Sequence, residues 1–241
     1  MRYGIFSDVH SNLEAFTEVL AYYKKEKIDR FIFLGDIVGY GANPRETIKL
    51  LKKIDSICLA GNHDWAVAGK INGDSFNEYA RKAIVWTRKK IDDESTRLLY
   101  NFQLIYETDD FICTHGSLED PSIFRYLLSI NDAKNNFALL QKQILFVGHS
   151  HQMRVYTCAP TGILYDTEMT ISIESDKRYI INVGSVGQPR DRDPRSCICI
   201  YDDRERVVIL KRVAYNIKAA ADKIAHARLP DLLAARLYVG Y

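Results

Sequence analysis

The sequence predicts an α/β protein built on two packed β-sheets flanked by helices, in one domain of residues 1–241. Two observations lead there. The first ninety residues alternate short apolar runs with amphipathic stretches. Past residue 100, further apolar runs follow one another without long helices between them. Alternation of the first kind calls for a largely parallel sheet with helices on its faces, and the second kind for an antiparallel or mixed sheet.

The elements can be justified in order. Arg2 to Ser7 is an apolar run ending in Asp8, and Ser11-Asn12-Leu13-Glu14 reads as a capping box opening a helix striped by Leu13, Phe16, Leu20 and Tyr23. Phe31 to Leu34 ends in Gly35-Asp36. Asn43-Pro44-Arg45-Glu46 then starts a second helix with a cap and a proline at its first position, and Ile48, Leu51 and Ile54 form its apolar face. A third run, Ile57 to Ala60, ends in Gly61-Asn62-His63-Asp64. The helix expected after it is capped at Ser75 with Glu78 and striped by Phe76, Ala80, Ala83, Thr87 and Ile91. Later strands are expected at 111–114, 144–148, 154–158, 169–173, 179–183, 196–201 and 206–213. Residues 214–237 read as helical with a break at Pro230.

Composition excludes several classes. At 47% hydrophobic and 27% charged, the chain is neither disordered nor fibrous. A formal charge of +2 gives no global field for a polyanion or a membrane surface, so neither nucleic acid nor membrane is expected as a partner. No apolar stretch is long enough to span a bilayer, and an aspartate interrupts the start of the chain before any signal-like segment. We expect a cytoplasmic protein. The five cysteines (Cys58, Cys113, Cys158, Cys197, Cys199) lack zinc-ribbon or disulfide spacing and are expected as buried thiols.

The chemistry lies at the strand ends. Five of the six histidines, His10, His63, His115, His149 and His151, directly follow apolar runs, in company with Asp8, Asp36, Asn62 and Asp64. The carboxyl ends of parallel strands open onto one crevice, so these residues should converge although distant in sequence. Imidazoles, carboxylates and a few neutral oxygens suit divalent first-row metals, and so many ligands exceed one tetrahedral ion. Two ions sharing a carboxylate are the economical solution, with manganese or iron expected and zinc, nickel or cobalt also compatible. Such a pair, about 3.5–4 Å apart, turns a bridging water into hydroxide and aligns it with a phosphoester leaving group. His63 would then serve the leaving group, with Asp64 fixing its tautomer, so these two are the candidate catalytic residues. His226, outside every motif, reads as a surface residue. Tyr40, Phe124 and Tyr126 read as packing residues, with stacking on a base as the alternative.

The ordered set D-x-H, G-D, G-N-H-D, H-G and G-H-x-H, from Asp8 to His151, resembles the calcineurin-like metallophosphoesterases. The segment Asn182-Val183-Gly184-Ser185-Val186-Gly187-Gln188-Pro189-Arg190 is similar to their small prokaryotic phosphodiesterase branch. The resemblance implies a four-layer α-β-β-α sandwich of two mixed sheets. It also implies Asp8, His10 and His151 on one metal, Asn62, His115 and His149 on the other, Asp36 bridging them, and His63 beside the metals without binding. Asn62, His63 and Arg190 are the candidate substrate-binding residues.

One departure narrows the activity. The protein phosphatases and symmetrical dinucleoside tetraphosphatases of the family carry an arginine shortly after Gly-Asp, whereas here Gly35-Asp36 runs into Ile37-Val38-Gly39-Tyr40-Gly41. Arg45 or Arg190 would have to substitute for it. The expected activity is therefore hydrolysis of a small phosphodiester, nucleotides included, by a hydroxide shared between two metal ions. A phosphomonoesterase, protein phosphatase or dinucleoside polyphosphate hydrolase is the alternative, and a non-catalytic scaffold ranks lower because every ligand position is filled.

Overall fold

In the computed structural model, which describes residues 1–74 and 76–241, the chain forms two six-stranded mixed sheets with helices on their outer faces. The opening units are β1 (Arg2–Phe6), α1 (Leu13–Lys25), β2 (Arg30–Phe33), α2 (Pro44–Leu51) and β3 (Ser56–Cys58). Three helices follow, α3 (Asn62–Ala68), α4 (Glu78–Arg88) and α5 (Asp93–Tyr100). Then come β4 (Ile105–Glu107), β5 (Phe111–Thr114), α6 (Ile130–Leu139), β6 (Ile144–Val147), β7 (Met153–Ala159), β8 (Gly162–Asp166) and β9 (Thr170–Ser172). The chain closes with β10 (Arg178–Val183), β11 (Ser196–Asp202), β12 (Val207–Val213), α7 (Ile217–His226) and α8 (Asp231–Val239).

The first sheet runs β3-β2-β1-β11-β12-β9 and the second β4-β5-β6-β10-β7-β8. This corrects the expected division of the chain. β1, β2 and β3 are parallel, but β11 joins β1 antiparallel, pairing Cys199 with Ile5, and β12 and β9 extend the same sheet. The late strands are thus shared between both sheets, which local hydrophobic patterning does not reveal. In the second sheet β5, β6 and β10 are mutually parallel.

Side-chain alternation sorts the core into layers. Ile5, Ile32, Cys197, Cys199 and Tyr201 face Phe111, Cys113, Phe146 and Ile181 between the sheets. The intervening Phe6, Phe33, Ile198 and Ile200 turn outward onto Phe16 and Tyr23 of α1, Ile48 of α2 and Trp65 of α3. The Tyr23 hydroxyl donates to Ile5 O at 2.8 Å, fixing α1 against β1. On the far side α6 lays Ala133 and Phe137 over Leu145 and Ile180. The four layers match the expected sandwich. α7 and α8 pack on Ala80 and Ala83 of α4.

Local differences from expectation have physical reasons. Asn12, not Ser11, caps α1, accepting from Ala15 N at 3.1 Å, because Ser11 sits in the left-handed region (φ 55°), where a cap residue should be extended. Glu14 pairs with Lys223 instead of closing a capping box. Asn43 makes no side-chain cap on α2, although Pro44 opens that helix as expected. The expected cap at Ser75 lies outside the described residues, and Asn77 caps α4. Cys113, Cys197 and Cys199 are buried while Cys58 and Cys158 are half-buried, and His226 is exposed. No helix among the described residues is long and apolar enough to cross a membrane.

Candidate metal centre

Each parallel strand delivers its polar residues to one crevice. Asp8 and His10 follow β1, Asp36 follows β2, Asn62 and His63 open α3 after β3, His115 follows β5, and His149 and His151 follow β6. The loop after β10 closes the far side: Val186 N donates to Ser7 O at 3.0 Å and Gly187 N to Asp8 O at 2.9 Å.

The backbone here is held in an uncommon conformation. Asp8, His10, Asp36, His149 and His151 all have positive φ, between 48° and 63°. Such geometry is rare outside glycine, and its concentration at one site indicates function over packing. Hydrogen bonds between the loops hold it in place: Asp8 N donates to Gly35 O, His10 N to Asp36 O and His149 N to Asp8 Oδ2, each at 2.9–3.0 Å. Gly61 lets the chain pass directly over Asp36, since a Cβ there would come within 2.0 Å of Asp36 Oδ1.

Three overlapping donor groups result: Asp8, His10 and His151; His10, Asp36 and His63; Asp36, His115 and His149, with donor atoms within 4.8 Å of one another in each. Their proton positions follow from the outer contacts. His10 Nδ1 lies 3.0 Å from Val38 O, His115 Nδ1 2.8 Å from Leu34 O and His151 Nδ1 2.6 Å from Gln188 O. A carbonyl only accepts, so each Nδ1 carries the proton and each Nε2 presents a lone pair inward. His10 Nε2 then meets His151 Nε2 at 3.1 Å, and His115 Nε2 meets His149 Nδ1 at 3.1 Å. The facing lone pairs of His10 and His151 need a cation between them.

The carboxylates complete the case. Asp8 Oδ1 lies 3.2 Å from His151 Nε2, and Asp36 Oδ2 lies 3.6 Å from His10 Nε2 and 3.4 Å from His115 Nε2. Ligands bound at about 2.0–2.2 Å to one ion stand roughly this far from each other. Asp8 Oδ1 and Asn62 Oδ1 are buried without hydrogen-bond partners, as oxygens reserved for an ion would be. The residues fit divalent metals by geometry and by donor chemistry.

Burial holds the His149 imidazole down at about 3, and burial with the Arg190 guanidinium holds His151 at about 4, so both rings are neutral. Burial also lowers His63 well below its ordinary value. For His115 burial pulls down, but the Asp36 and Asp8 carboxylates override it and raise the ring to about 9, so its inward Nε2 takes a proton wherever no ion fills that place. Asp8 and Asp36 stay ionised: the surrounding imidazoles outweigh the cost of burying each carboxylate.

Two expectations need revision. Asp64 makes no hydrogen bond to His63; its carboxylate accepts Asp36 N at 2.7 Å, Ile37 N at 2.9 Å and Gly61 N at 3.1 Å. It braces the main chain, and His63 Nδ1 is left unpartnered against Gly39 (φ 96°), where a Cβ would sit 2.5 Å from that nitrogen. Arg45 also lies elsewhere, exposed and bonded through Nε to Lys90 O. Arg190 does reach the site, its guanidinium over the Tyr40 ring at 5.5 Å and bonded to Gln188 Oε1 at 2.8 Å. Aromatic rings press on the cluster: Tyr126 stacks on His149 at 4.0 Å, Phe76 meets His63 edge-on at 4.9 Å, and Tyr40 lies 4.5 Å from both His10 and His63. The apolar cluster Ile123-Phe124 beside Tyr126 in an otherwise polar loop was the available signal for the first. Phe76 had none, because it lies just before α4 and reads as part of its stripe.

Comparison with known proteins agrees with this geometry. The model of the calcineurin-like phosphoesterase superfamily domain matches residues 1–205. The chain is 40% identical over 243 aligned residues to the uncharacterized protein MJ0912 of Methanocaldococcus jannaschii, covering 98% of this chain and 97% of that one. The crystal structure of a metallophosphoesterase from Sphaerobacter thermophilus superposes with a TM-score of 0.86 at 35% identity, covering 100% of this chain and 99% of the other. The hypothetical protein PH1004 of Pyrococcus horikoshii shares the fold, with a TM-score of 0.81 at 19% identity and coverage of 100% and 98%.

Proposed function

Because the chain belongs to the calcineurin-like phosphoesterase superfamily, we propose that it is a metal-dependent hydrolase of a small phosphodiester, working with two divalent ions. The observation that carries this reading is the place of Asp36 Oδ2 between His10 Nε2 and His115 Nε2, so that one carboxylate belongs to two donor groups. Asp8, His10 and His151 would hold one ion, Asn62, His115 and His149 the other, and Asp36 both. When bound, such ions activate a water and neutralise charge on the phosphoryl oxygens.

The chain's own residues do the rest. His63, with Nδ1 turned to Gly39, holds or moves a proton at Nε2 for the departing oxygen. Arg190 binds a phosphoryl oxygen, and its stacking on Tyr40 and bonds to Gln188 preset the fork for that contact. Arg190 stands at the site and no arginine follows Gly35-Asp36 within Ile37-Val38-Gly39-Tyr40-Gly41, which supports the diester over the more highly charged monoester. Manganese or iron is the metal pair we favour for mixed nitrogen and oxygen donors. The free thiols support a cytoplasmic setting.

The test is hydrolysis of a chromogenic phosphodiester and its matching monoester by metal-stripped protein reloaded with manganese, together with elemental analysis of the protein as purified. Diester turnover with about two metals per chain is the expected result. Preference for the monoester would replace the reading with a phosphatase, and absence of both turnover and metal would make the chain a scaffold.

A further inference from the structure

A cleft of about 540 Å³ opens beside the donor cluster, sharing Asn62, His63 and His149 with it. That volume lies within the range of small-molecule sites, roughly 300–1,000 Å³, and exceeds what a phosphoryl group alone needs. The rest of its wall is unusual for a site that handles phosphate. Among the described residues no lysine, arginine, aspartate or glutamate lines it. Its surfaces come from Phe76, Ile123 and Tyr126, with the neutral amides of Asn72 and Asn77.

These apolar groups are left open to solvent. Ile123 is 50% and Tyr126 48% exposed, at the edge of a cluster of buried polar residues. The orientation of Tyr126 is fixed, because its ring lies within 11° of parallel to the His149 imidazole. Asn77 uses its Oδ1 to cap Ala80 N at 3.0 Å, which leaves its amide hydrogens free to donate. A charged group placed among Phe76, Ile123 and the two amides would lose its hydration without gaining a counter-charge there, whereas a flat uncharged ring gains stacking and apolar contact. Arg190 borders the cleft at one edge, over the Tyr40 ring and within reach of Tyr126, so the phosphoryl end of a substrate would lie at that edge and its neutral part toward Phe76 and Ile123.

We infer that this cleft is a nucleoside subsite: the diester carries an uncharged nucleoside whose base is taken up by Phe76, Ile123 and Tyr126, with Asn77 donating to its polar edge. The inference rests on the phosphodiesterase reading above and deepens it.

The test is calorimetric binding of adenosine 5′-monophosphate and of ribose 5-phosphate to the metal-loaded protein. Both carry the same phosphate, so the ratio of their affinities reports the base alone. The monophosphate should bind at least about tenfold more tightly, by stacking. Ile123→Ser, at a half-exposed position that touches no donor residue in our assignment, should reduce that ratio at least about threefold and leave ribose 5-phosphate unchanged. Equal binding of the two ligands, or a ratio unaltered in Ile123→Ser, overturns the inference. Hydrolysis of the chromogenic diester without any base preference would leave the phosphodiesterase reading standing and remove this one. A base preference without hydrolysis of any phosphoester would do the reverse.

Discussion

The Asp64 carboxylate accepts the backbone N–H of Asp36 at 2.7 Å, so the carboxylate shared by two donor groups is set by its main chain, through the neighbour of His63. Asp64 also accepts from Ile37 N and Gly61 N. With Val38 N, Asp64→Ala would strand four buried donors, each costing about 1–3 kcal/mol, and should destabilise the protein by about 3 kcal/mol or more. Asp64→Asn keeps one acceptor oxygen and should fall between. Urea denaturation monitors both. Wild-type stability in Asp64→Ala, with a loss confined to rate, would return the residue to a role on His63.

Asp36→Asn should abolish turnover and lower metal content, because a neutral amide replaces the charge shared by two groups of imidazoles. His149→Ala should do likewise through loss of one ligand. Elemental analysis beside the kinetic assay reads both effects. Full activity in Asp36→Asn would sink the bridging assignment.

His63→Ala should retain the metals and slow hydrolysis by roughly 10²–10⁴-fold, the usual size of a lost acid–base contribution. Loss of metal in this variant would move His63 into the coordination shell, which its presence in a donor group with His10 and Asp36 makes a real alternative outcome.

At Arg190 the planar fork matters as much as the charge. Arg190→Ala should raise KM for the diester by about tenfold, and Arg190→Lys should restore little of it, since an ammonium neither stacks on Tyr40 as a plane nor bonds Gln188 bidentately. Recovery by lysine to wild-type KM would reduce the contact to simple charge.

Gly61→Ala tests the close approach of the chain to Asp36. Its Cβ would come within 2.0 Å of Asp36 Oδ1, so the carboxylate must move, and metal content should fall with stability lower by about 1–3 kcal/mol. A variant with unchanged metal content would show that Asp36 can shift without consequence.

Much of the site was legible because its residues fall at strand ends, where a parallel sheet gathers them. His10, Asp36, His115, His149 and His151 meet as the ordered motifs imply. What escaped the sequence was of two kinds. α3 and α5 follow their strand and helix too closely to show a separate apolar period, and β4 and β8 lie at sheet edges where exposure blurs alternation. The other kind is pairing at long range: nothing local in β11 or β12 says that they complete the first sheet and not the second. Asp64 illustrates the limit for function, since a carboxylate beside a histidine in sequence turned instead toward four main-chain N–H groups.

The antiparallel seam between β1 and β11 has a consequence for biosynthesis. β1 is made well before its partner, so one of its edges stays open until Ser196–Asp202 has been made. An emerging chain therefore holds β1 and β2 with an uncovered edge, a template for wrong pairing, until β11 follows. The donor cluster is completed at the same late stage, because the loop after β10 that closes over Asp8 arrives only with residues 184–190. A cluster fit for an ion is thereby postponed until residues 184–190 are in place, and fragments ending before β11 should aggregate instead of loading ions.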